Sequence, residues 1–128
     1  MSQHRSKLAL LLWAATPDRP ELCATPFIYA TAAAALDCEV EIHFSGCATR
    51  LLVTGEAAQL FAAPGSEKSI YLFMREAANL GVRFIGCAMA LQANTREGET
   101  YIPEYAATAS ATDYVLRSLD PDWATLVF

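Results

Sequence analysis

The feature that most constrains the fold is a near-continuous apolar run from Lys7 to Ala15, with the sequence Lys-Leu-Ala-Leu-Leu-Leu-Trp-Ala-Ala. A strand of this composition has no polar face, so other parts of the chain must cover it on both sides. Antiparallel sheets commonly leave one face to water, whereas helices cover both faces of parallel sheets. The run therefore predicts a buried first strand in a parallel sheet.

Further strands alternate with helices along the rest of the chain. Helices are predicted at 25–36, 68–80, 88–93 and 109–119, and strands at 38–45, 82–85, 100–105 and 124–128. Ser66 is the expected N-cap of the second helix, and Pro103 makes 100–105 an edge strand because proline cannot donate to a central ladder. This order predicts a three-layer α/β/α sandwich with a mostly parallel sheet of about five strands.

The second predicted strand alternates strictly between apolar and polar residues. One face carries Cys38, Val40, Ile42 and Phe44, and the other carries Glu39, Glu41, His43 and Ser45. In a covered sheet, such alternation predicts that the polar face lies near an edge, a cleft or a subunit boundary. We expect His43 to be solvated or hydrogen-bonded there. A loop follows at 46–50, and 51–53 fits a short strand or part of a helix equally well.

Length and composition indicate one packed domain over residues 1–128, with residues 1–6 expected to be flexible. Apolar residues make up 54% of the chain and charged residues 18%, which argues against disorder and leaves apolar surface for subunit contacts. The net charge of −5 argues against nucleic-acid binding, which needs clustered cations.

The N-terminus superficially resembles a secretion signal, because basic residues precede the apolar run. We interpret the run as the first strand instead, and no segment reaches the roughly 18 apolar residues of a membrane span. We therefore expect a cytoplasmic protein with reduced thiols. The four cysteines have no Cys-x-x-Cys spacing, so we expect no disulfide scaffold, no metal site and no cofactor.

Cys87 stands between a buried strand and a helical segment, in the sequence Gly81-Val-Arg-Phe-Ile-Gly-Cys-Ala-Met-Ala-Leu91. Backbone N–H groups at a helix start would stabilise a thiolate there. A small core residue is the alternative interpretation of Cys87. Cys47 also follows a predicted strand, whereas Cys38 begins one. Because ligands bind at the carboxyl ends of parallel strands, we expect Cys47 and Cys87 on the functional face and Cys38 on the opposite one.

The order of elements and the residues around Cys87 resemble the DsrE/DsrF-like family of sulfur-relay proteins, which have the YchN-like fold. The resemblance rests on the first strand, the His43-Phe-Ser-Gly46 strand end, the Gly81-Val-x-x-Ile-x-Cys87 pattern and the closing Thr125-Leu-Val-Phe128. Cys87-Ala-Met89 resembles the Cys-x-Met motif of the DsrE-like, peroxiredoxin-family branch.

The resemblance implies a homo-oligomer, often a trimer or hexamer. It also implies that Cys87 accepts sulfane sulfur as a persulfide from a donor and passes it to the thiol of an acceptor protein. Such a protein would be a sulfur carrier or sulfurtransferase, and the sequence leaves open whether it turns over catalytically. We expect Met89, with Gly86 and Ala88 beside the thiol, to form the substrate-binding wall, although a core methionine is the alternative.

Cys47 is a second candidate, either as a resolving thiol for Cys87 or as a second carrier. Arg50 could attract an anionic sulfur donor near Cys47, with a solvated arginine as the alternative. Two other functions remain open at this point. One is a thiol-redox protein that cycles a disulfide between Cys47 and Cys87, and the other is an assembly module without covalent chemistry.

Overall fold

Five parallel strands form one sheet in the computed structural model, which describes residues 6–128. The strands are β1 Lys7–Leu12, β2 Glu39–Phe44, β3 Arg83–Cys87, β4 Tyr105–Ala109 and β5 Trp123–Val127, in the order β4-β3-β2-β1-β5. The predicted α/β/α class with about five strands is confirmed. Residues 1–6 were expected to be flexible, and of these, residues 1–5 lie outside the described part of the chain.

Four α-helices connect these strands: α1 Ala24–Ala35, α2 Ile70–Asn79, α3 Ala88–Asn94 and α4 Ala111–Leu119. Three 3-10 segments also occur, at Pro20–Leu22, Gly46–Leu52 and Ala57–Gln59. In the part of the chain that the structure describes, no helix has both the length and the apolar character needed to cross a bilayer.

The two faces of the sheet are covered unequally. Helices α1 and α2 enclose the larger core, in which the rings of Phe27, Phe44 and Phe84 lie with centroids 5.5 to 6.1 Å apart. Helix α4 covers a smaller core on the other face, built on Ala9, Tyr114 and Trp123. Strand β1 contributes to both cores, which explains why its sequence is apolar on both sides.

Several predicted boundaries differ from the structure by one or more residues, and two of these differences have clear local reasons. Helix α2 begins at Ile70 rather than 68, because Ser69 and not Ser66 is its N-cap: the Ser69 hydroxyl accepts a hydrogen bond from the Leu72 N–H at 3.3 Å. The edge strand is β4 rather than 100–105, and it begins only after Pro103. Before β4 begins at Tyr105, Tyr101 forms an isolated antiparallel bridge with Val53.

The sequence left the structure of segment 51–53 open between a strand and a helix. The structure shows a part of each. Leu51 and Leu52 complete the 3-10 segment Gly46–Leu52, and Val53 makes the bridge to Tyr101. The predicted loop at 46–50 is therefore a 3-10 helix.

Candidate functional site

Cys87 is the last residue of β3 and the N-cap of α3. Its side chain is half-buried and lines a cavity of about 160 Å³ at the carboxyl end of the sheet. The lining residues come from the ends of four strands and from the start of α4: Leu11, His43, Phe44, Ser45, Cys87, Ala109, Ser110, Ala111, Tyr114 and Val115. Such a cavity is smaller than the roughly 300 to 1,000 Å³ of drug-sized ligand pockets, so it suits a small group.

Gly86, the residue before Cys87, allows close packing on one face of β3. Gly86 is buried, and a Cβ atom there would lie 2.7 Å from Leu91 Cδ1 and 3.3 Å from Leu52 Cδ1. The absence of a side chain therefore lets α3 and the 3-10 segment pack directly on β3. Because successive side chains of a strand alternate in direction, Cys87 points to the opposite face, towards α4.

His43 and Glu41 lie on that same face of the neighbouring strand β2. Both are buried, with exposed fractions of 6% and 3%. The sequence predicted that this polar face lies near an edge, a cleft or a subunit boundary, and expected His43 to be solvated or hydrogen-bonded. The edge position is wrong because β2 is the central strand of the sheet. His43 is hydrogen-bonded rather than solvated, and it lies at a cleft.

Glu41 is the centre of a network of ionic hydrogen bonds. Its carboxylate lies 3.0 Å from His43 Nε2 and accepts two hydrogen bonds of 3.0 Å from Arg117 of α4. Arg83 Nη1 lies 3.8 Å away. Burial opposes ionisation of the carboxyl, but the hydrogen bonds from His43 and Arg117 outweigh it and lower the pKa of Glu41 to about 2. Glu41 is therefore a buried carboxylate at neutral pH.

The start of α4 closes the cavity above His43. The ring of Tyr114 packs edge-on against His43 at a centroid distance of 5.3 Å, and its hydroxyl donates to the Leu126 carbonyl at 3.1 Å. A capping box between Ser110 and Asp113 fixes the first turn of the helix. These contacts position Tyr114 and the first turn of α4 in the wall of the cavity.

Cys47 follows β2 and is exposed, but it lines a different cavity, one of about 520 Å³. Its Sγ atom lies 3.6 Å from Oδ1 of Asn94, the last residue of α3, whereas Cys87 precedes the first residue of that helix. Seven helical residues span about 10 Å. The structure therefore places Cys87 at the carboxyl end of β3 and Cys47 just after β2, but it does not bring the two thiols into one cavity.

Arg50 is buried, so its interpretation as a solvated arginine is wrong. Its guanidinium donates to Glu99 at 2.6 and 2.8 Å, to Glu56, and to the Asn94 carbonyl at 2.9 Å. The hydrogen bond with Glu99 is the main reason why the pKa of Arg50 is raised. Its charge is thus compensated by two carboxylates beside Cys47.

Three predicted residues flank Cys87 without lining its cavity. Gly86 lies on the opposite face, and Ala88 is exposed at the start of α3. Met89 is 81% exposed, so its interpretation as a core methionine is wrong. Met89 is available to a partner molecule rather than to the interior.

The remaining cysteines lie away from this cavity. Cys23 is buried, its thiol donates to the Thr16 carbonyl at 3.3 Å, and burial raises its pKa to about 11. Cys38 precedes β2 at the opposite end of the sheet, as predicted. Among residues 6–128, no group of three or more His, Cys, Asp or Glu side chains is placed to hold a metal ion.

The sequence did not connect the polar residues around this cavity with Cys87. Glu41, His43, Ser110 and Tyr114 come from β2 and α4, which are far from Cys87 in the sequence. The alternation of β2 was a signal for two of them, since it placed Glu41 and His43 on one face. Nothing in the sequence indicated that α4 would cover that face.

Comparison with known proteins shows the fold. The ychN protein from E. coli is similar with a TM-score of 0.73 and 12% sequence identity, over 98% of this chain and 100% of that one. MTH1491 from Methanobacterium thermoautotrophicum, a protein of unknown function, is similar with a TM-score of 0.64 and 17% identity, over 95% and 98% of the two chains. No protein family and no curated protein sequence matches the chain. The predicted YchN-like fold is thus confirmed, whereas the sulfur-relay family and the role of the Cys-x-Met motif stay predictions.

Proposed function

We propose that this protein is a sulfur carrier that holds sulfane sulfur as a persulfide on Cys87 and passes it to an acceptor thiol. The observation that carries the proposal is the position of this thiol, half-buried in a small cavity at the carboxyl end of a parallel sheet. Ligands of open α/β sheets bind at this end. The YchN-like fold is compatible with such a role.

The chemistry is thiol exchange and balances without an external oxidant. The Cys87 thiol loses its proton, and the thiolate attacks the outer sulfur of a donor persulfide, R–S–SH. An S–S bond forms on Cys87, the S–S bond of the donor breaks, and the leaving thiolate takes up the proton. The products are Cys87–S–SH and R–SH, and an acceptor thiolate reverses the same steps to remove the sulfur.

The size of the cavity and the exposure around it fit this exchange. A volume of about 160 Å³ admits a small sulfane-sulfur compound or the end of a side chain, but not a large cofactor. Exposed Met89 and Ala88 stand next to Cys87 at the start of α3, where a donor or acceptor protein would contact them. In this proposal Met89 offers a polarizable contact to the incoming sulfur compound or protein.

The proposal includes a homo-oligomer. Helix α4 turns Tyr114 and Arg117 towards the sheet and leaves Val115, Leu116 and Leu119 exposed. An outward apolar face of this kind is typical of a subunit contact. The trimer or hexamer implied by the family resemblance would cover it.

The experiment is an intact-mass measurement on the reduced protein after incubation with polysulfide. We expect a mass gain of one or more sulfur atoms that dithiothreitol removes, that persists in Cys47→Ser and that disappears in Cys87→Ser. Cys47→Ser is the matched control because Cys47 also follows a strand at this end of the sheet but lines a different cavity.

Other outcomes distinguish the alternative functions. A mass loss of two hydrogens that needs both Cys47 and Cys87 would favour the redox protein, although the two thiols lie in separate cavities. An unmodified wild-type protein would contradict sulfur carriage and favour an assembly module.

A further inference from the structure

We propose that His43, oriented by Glu41, is the proton acceptor and donor for the Cys87 thiol. This inference rests on the proposed function, because it names the group that moves the proton during sulfur exchange. Glu41 acts through His43 and is therefore a positioning residue. Three points support this assignment. The side chains of His43 and Cys87 line the same cavity, and Glu41 selects the tautomer of the His43 imidazole. The other ring nitrogen, Nδ1, has no hydrogen-bond partner among the described residues.

The strand register brings His43 near Cys87. His43 lies opposite Ile85 on the neighbouring parallel strand, and Cys87 is two residues further along on the same face. With strands about 4.8 Å apart and a rise of about 3.3 Å per residue, the two Cα atoms are about 8 Å apart. Both side chains line the same cavity. In this proposal, a persulfide or one water molecule bridges the imidazole and the thiol.

Glu41 determines which ring nitrogen of His43 carries the proton. The Glu41 carboxylate lies 3.0 Å from Nε2, and an ionised carboxylate only accepts hydrogen bonds. In the neutral imidazole, the proton is therefore on Nε2, and Nδ1 keeps its lone pair. Arg117 holds the carboxylate in place with two hydrogen bonds of 3.0 Å.

Nδ1 is the nitrogen left for chemistry. It has no hydrogen bond within residues 6–128. Every fully buried side-chain nitrogen or oxygen in the described part of the chain has a hydrogen-bond partner. Since Nδ1 has none, it is not fully buried. Nδ1 therefore keeps some exposure, and His43 is one of the residues that line the cavity with Cys87.

In this proposal, His43 accepts the proton of the Cys87 thiol and later gives it to the leaving thiolate. Nδ1 takes the proton of the Cys87 thiol, and the resulting imidazolium faces the Glu41 carboxylate. When the donor persulfide gives up its outer sulfur, the leaving thiolate takes that proton from Nδ1, and His43 is neutral again. The other charged or titratable groups around His43 are Arg117, Asp113 and Tyr114 of α4, and Arg83 and Cys87 of β3.

The test measures thiol deprotonation directly, without sulfur transfer. Iodoacetamide alkylates thiolates, and trypsin cleavage after Arg83 and Arg96 leaves Cys87 as the single cysteine of peptide 84–96. The full chain is alkylated over a range of pH, and mass spectrometry of that peptide gives the rate at Cys87. His43→Gln is the informative variant, since its amide can still donate to Glu41 but supplies no base. His4→Gln, which removes the other histidine of the chain, is the control.

We expect His43→Gln to slow alkylation of Cys87 at neutral pH on the order of 100-fold. Its pH profile should reduce to a single titration, while His4→Gln retains the wild-type profile. A His43→Gln profile equal to that of the wild type would overturn the inference, even if Cys87 proves to carry persulfide. A His43-dependent rate would support it even if no persulfide forms, so the two proposals fail separately.

A second measurement keeps the inference testable if His43→Gln does not fold. Imidazole nitrogen NMR on the wild-type protein, assigned with His4→Gln, reports the tautomer of His43. A proton on Nε2 and a bare Nδ1 are expected at a pH where the ring is neutral. A proton on Nδ1 would overturn the proposal.

Discussion

Glu41 shows how one residue links a strand, a helix and the candidate functional site. A buried carboxylate is costly unless charged donors surround it, and Arg117 and His43 supply these from α4 and from β2 itself. The same contacts hold His43 in one orientation. The stability of the fold and the geometry of the cavity therefore depend on the ionisation of the same group.

This dependence predicts how acid destabilises the protein. The pKa of Glu41 falls from 4.5 to about 2 on folding, so its contribution is complete above about pH 4.5 and is lost as the pH falls towards 2. The shift corresponds to about 3 kcal/mol in the free energy of unfolding. We expect Glu41→Gln to lose about this much at pH 7 and almost nothing near pH 2, as measured by urea unfolding at each pH.

Glu97→Gln is the matched control for this experiment, because Glu97 is an exposed residue of a turn. Its unfolding curves should follow those of the wild type at every pH. If Glu41→Gln and the wild type lose stability in parallel between pH 4.5 and 2, the network around Glu41 does not contribute as described.

At the scale of elements, the beginnings of helices are decided by single hydrogen bonds. The sequence around α2 offers two serines three residues apart, Ser66 and Ser69, and both stand before an apolar helical pattern. Only Ser69 accepts a hydrogen bond from the first turn of the helix, whereas the hydroxyl of Ser66 contacts the Lys68 carbonyl at 3.4 Å. Periodicity thus predicted the helix, and the capping contact fixed where it begins.

The two serines provide a paired test of that assignment. Ser69→Ala removes the cap of α2 and should lower the free energy of unfolding by about 1 kcal/mol. Ser66→Ala should change it by less than about 0.5 kcal/mol, as is usual for surface positions. Urea unfolding of both variants measures the difference, and a larger loss in Ser66→Ala would show that the cap is misplaced.

At the scale of the whole molecule, the two faces of the sheet differ in the number of helices that cover them and in the size of the core beneath. Helices α1 and α2 enclose most of the core, while α4 alone covers the opposite face above a small cluster of side chains. The cavity with Cys87 lies on the face that α4 covers. A subunit packed against α4 would therefore cover apolar surface close to the proposed site.

This asymmetry predicts which surface the proposed homo-oligomer would use. Leu119 is 76% exposed on α4, and burial of a leucine side chain contributes roughly 1.5 to 3 kcal/mol. We expect Leu119→Glu to raise the dissociation constant of the oligomer by about tenfold or more, as measured by light scattering over a range of protein concentrations.

Leu36→Glu is the control for this measurement. Leu36 is 78% exposed at the end of α1, in the layer on the other side of the sheet. It should leave the oligomer unchanged. A wild-type protein that is monomeric throughout the concentration range would contradict the oligomer, and loss of assembly in Leu36→Glu alone would place the contact on the α1 side.

The sequence by itself determined the fold class and the place of the thiol along the chain. The apolar run of β1 and the alternation of β2 are local patterns, and periods of two and 3.6 residues reveal strands and helices without knowledge of their neighbours. The same patterns placed Cys47 and Cys87 at the carboxyl ends of β2 and β3. Local patterns could not show that the two thiols line separate cavities, since side-chain direction at a strand end depends on packing.

Tertiary structure alone decided what surrounds Cys87. Whether Glu41 and His43 face water or a helix depends on where α4 packs, and α4 contributes Arg117 from 76 residues further along the chain. Likewise, Arg50 is not a free cation because Glu56 and Glu99 reach it across loops. Burial and most of this ion pairing arise between elements that are distant in sequence, which is why the sequence placed Cys87 at a strand end but did not show the groups around it.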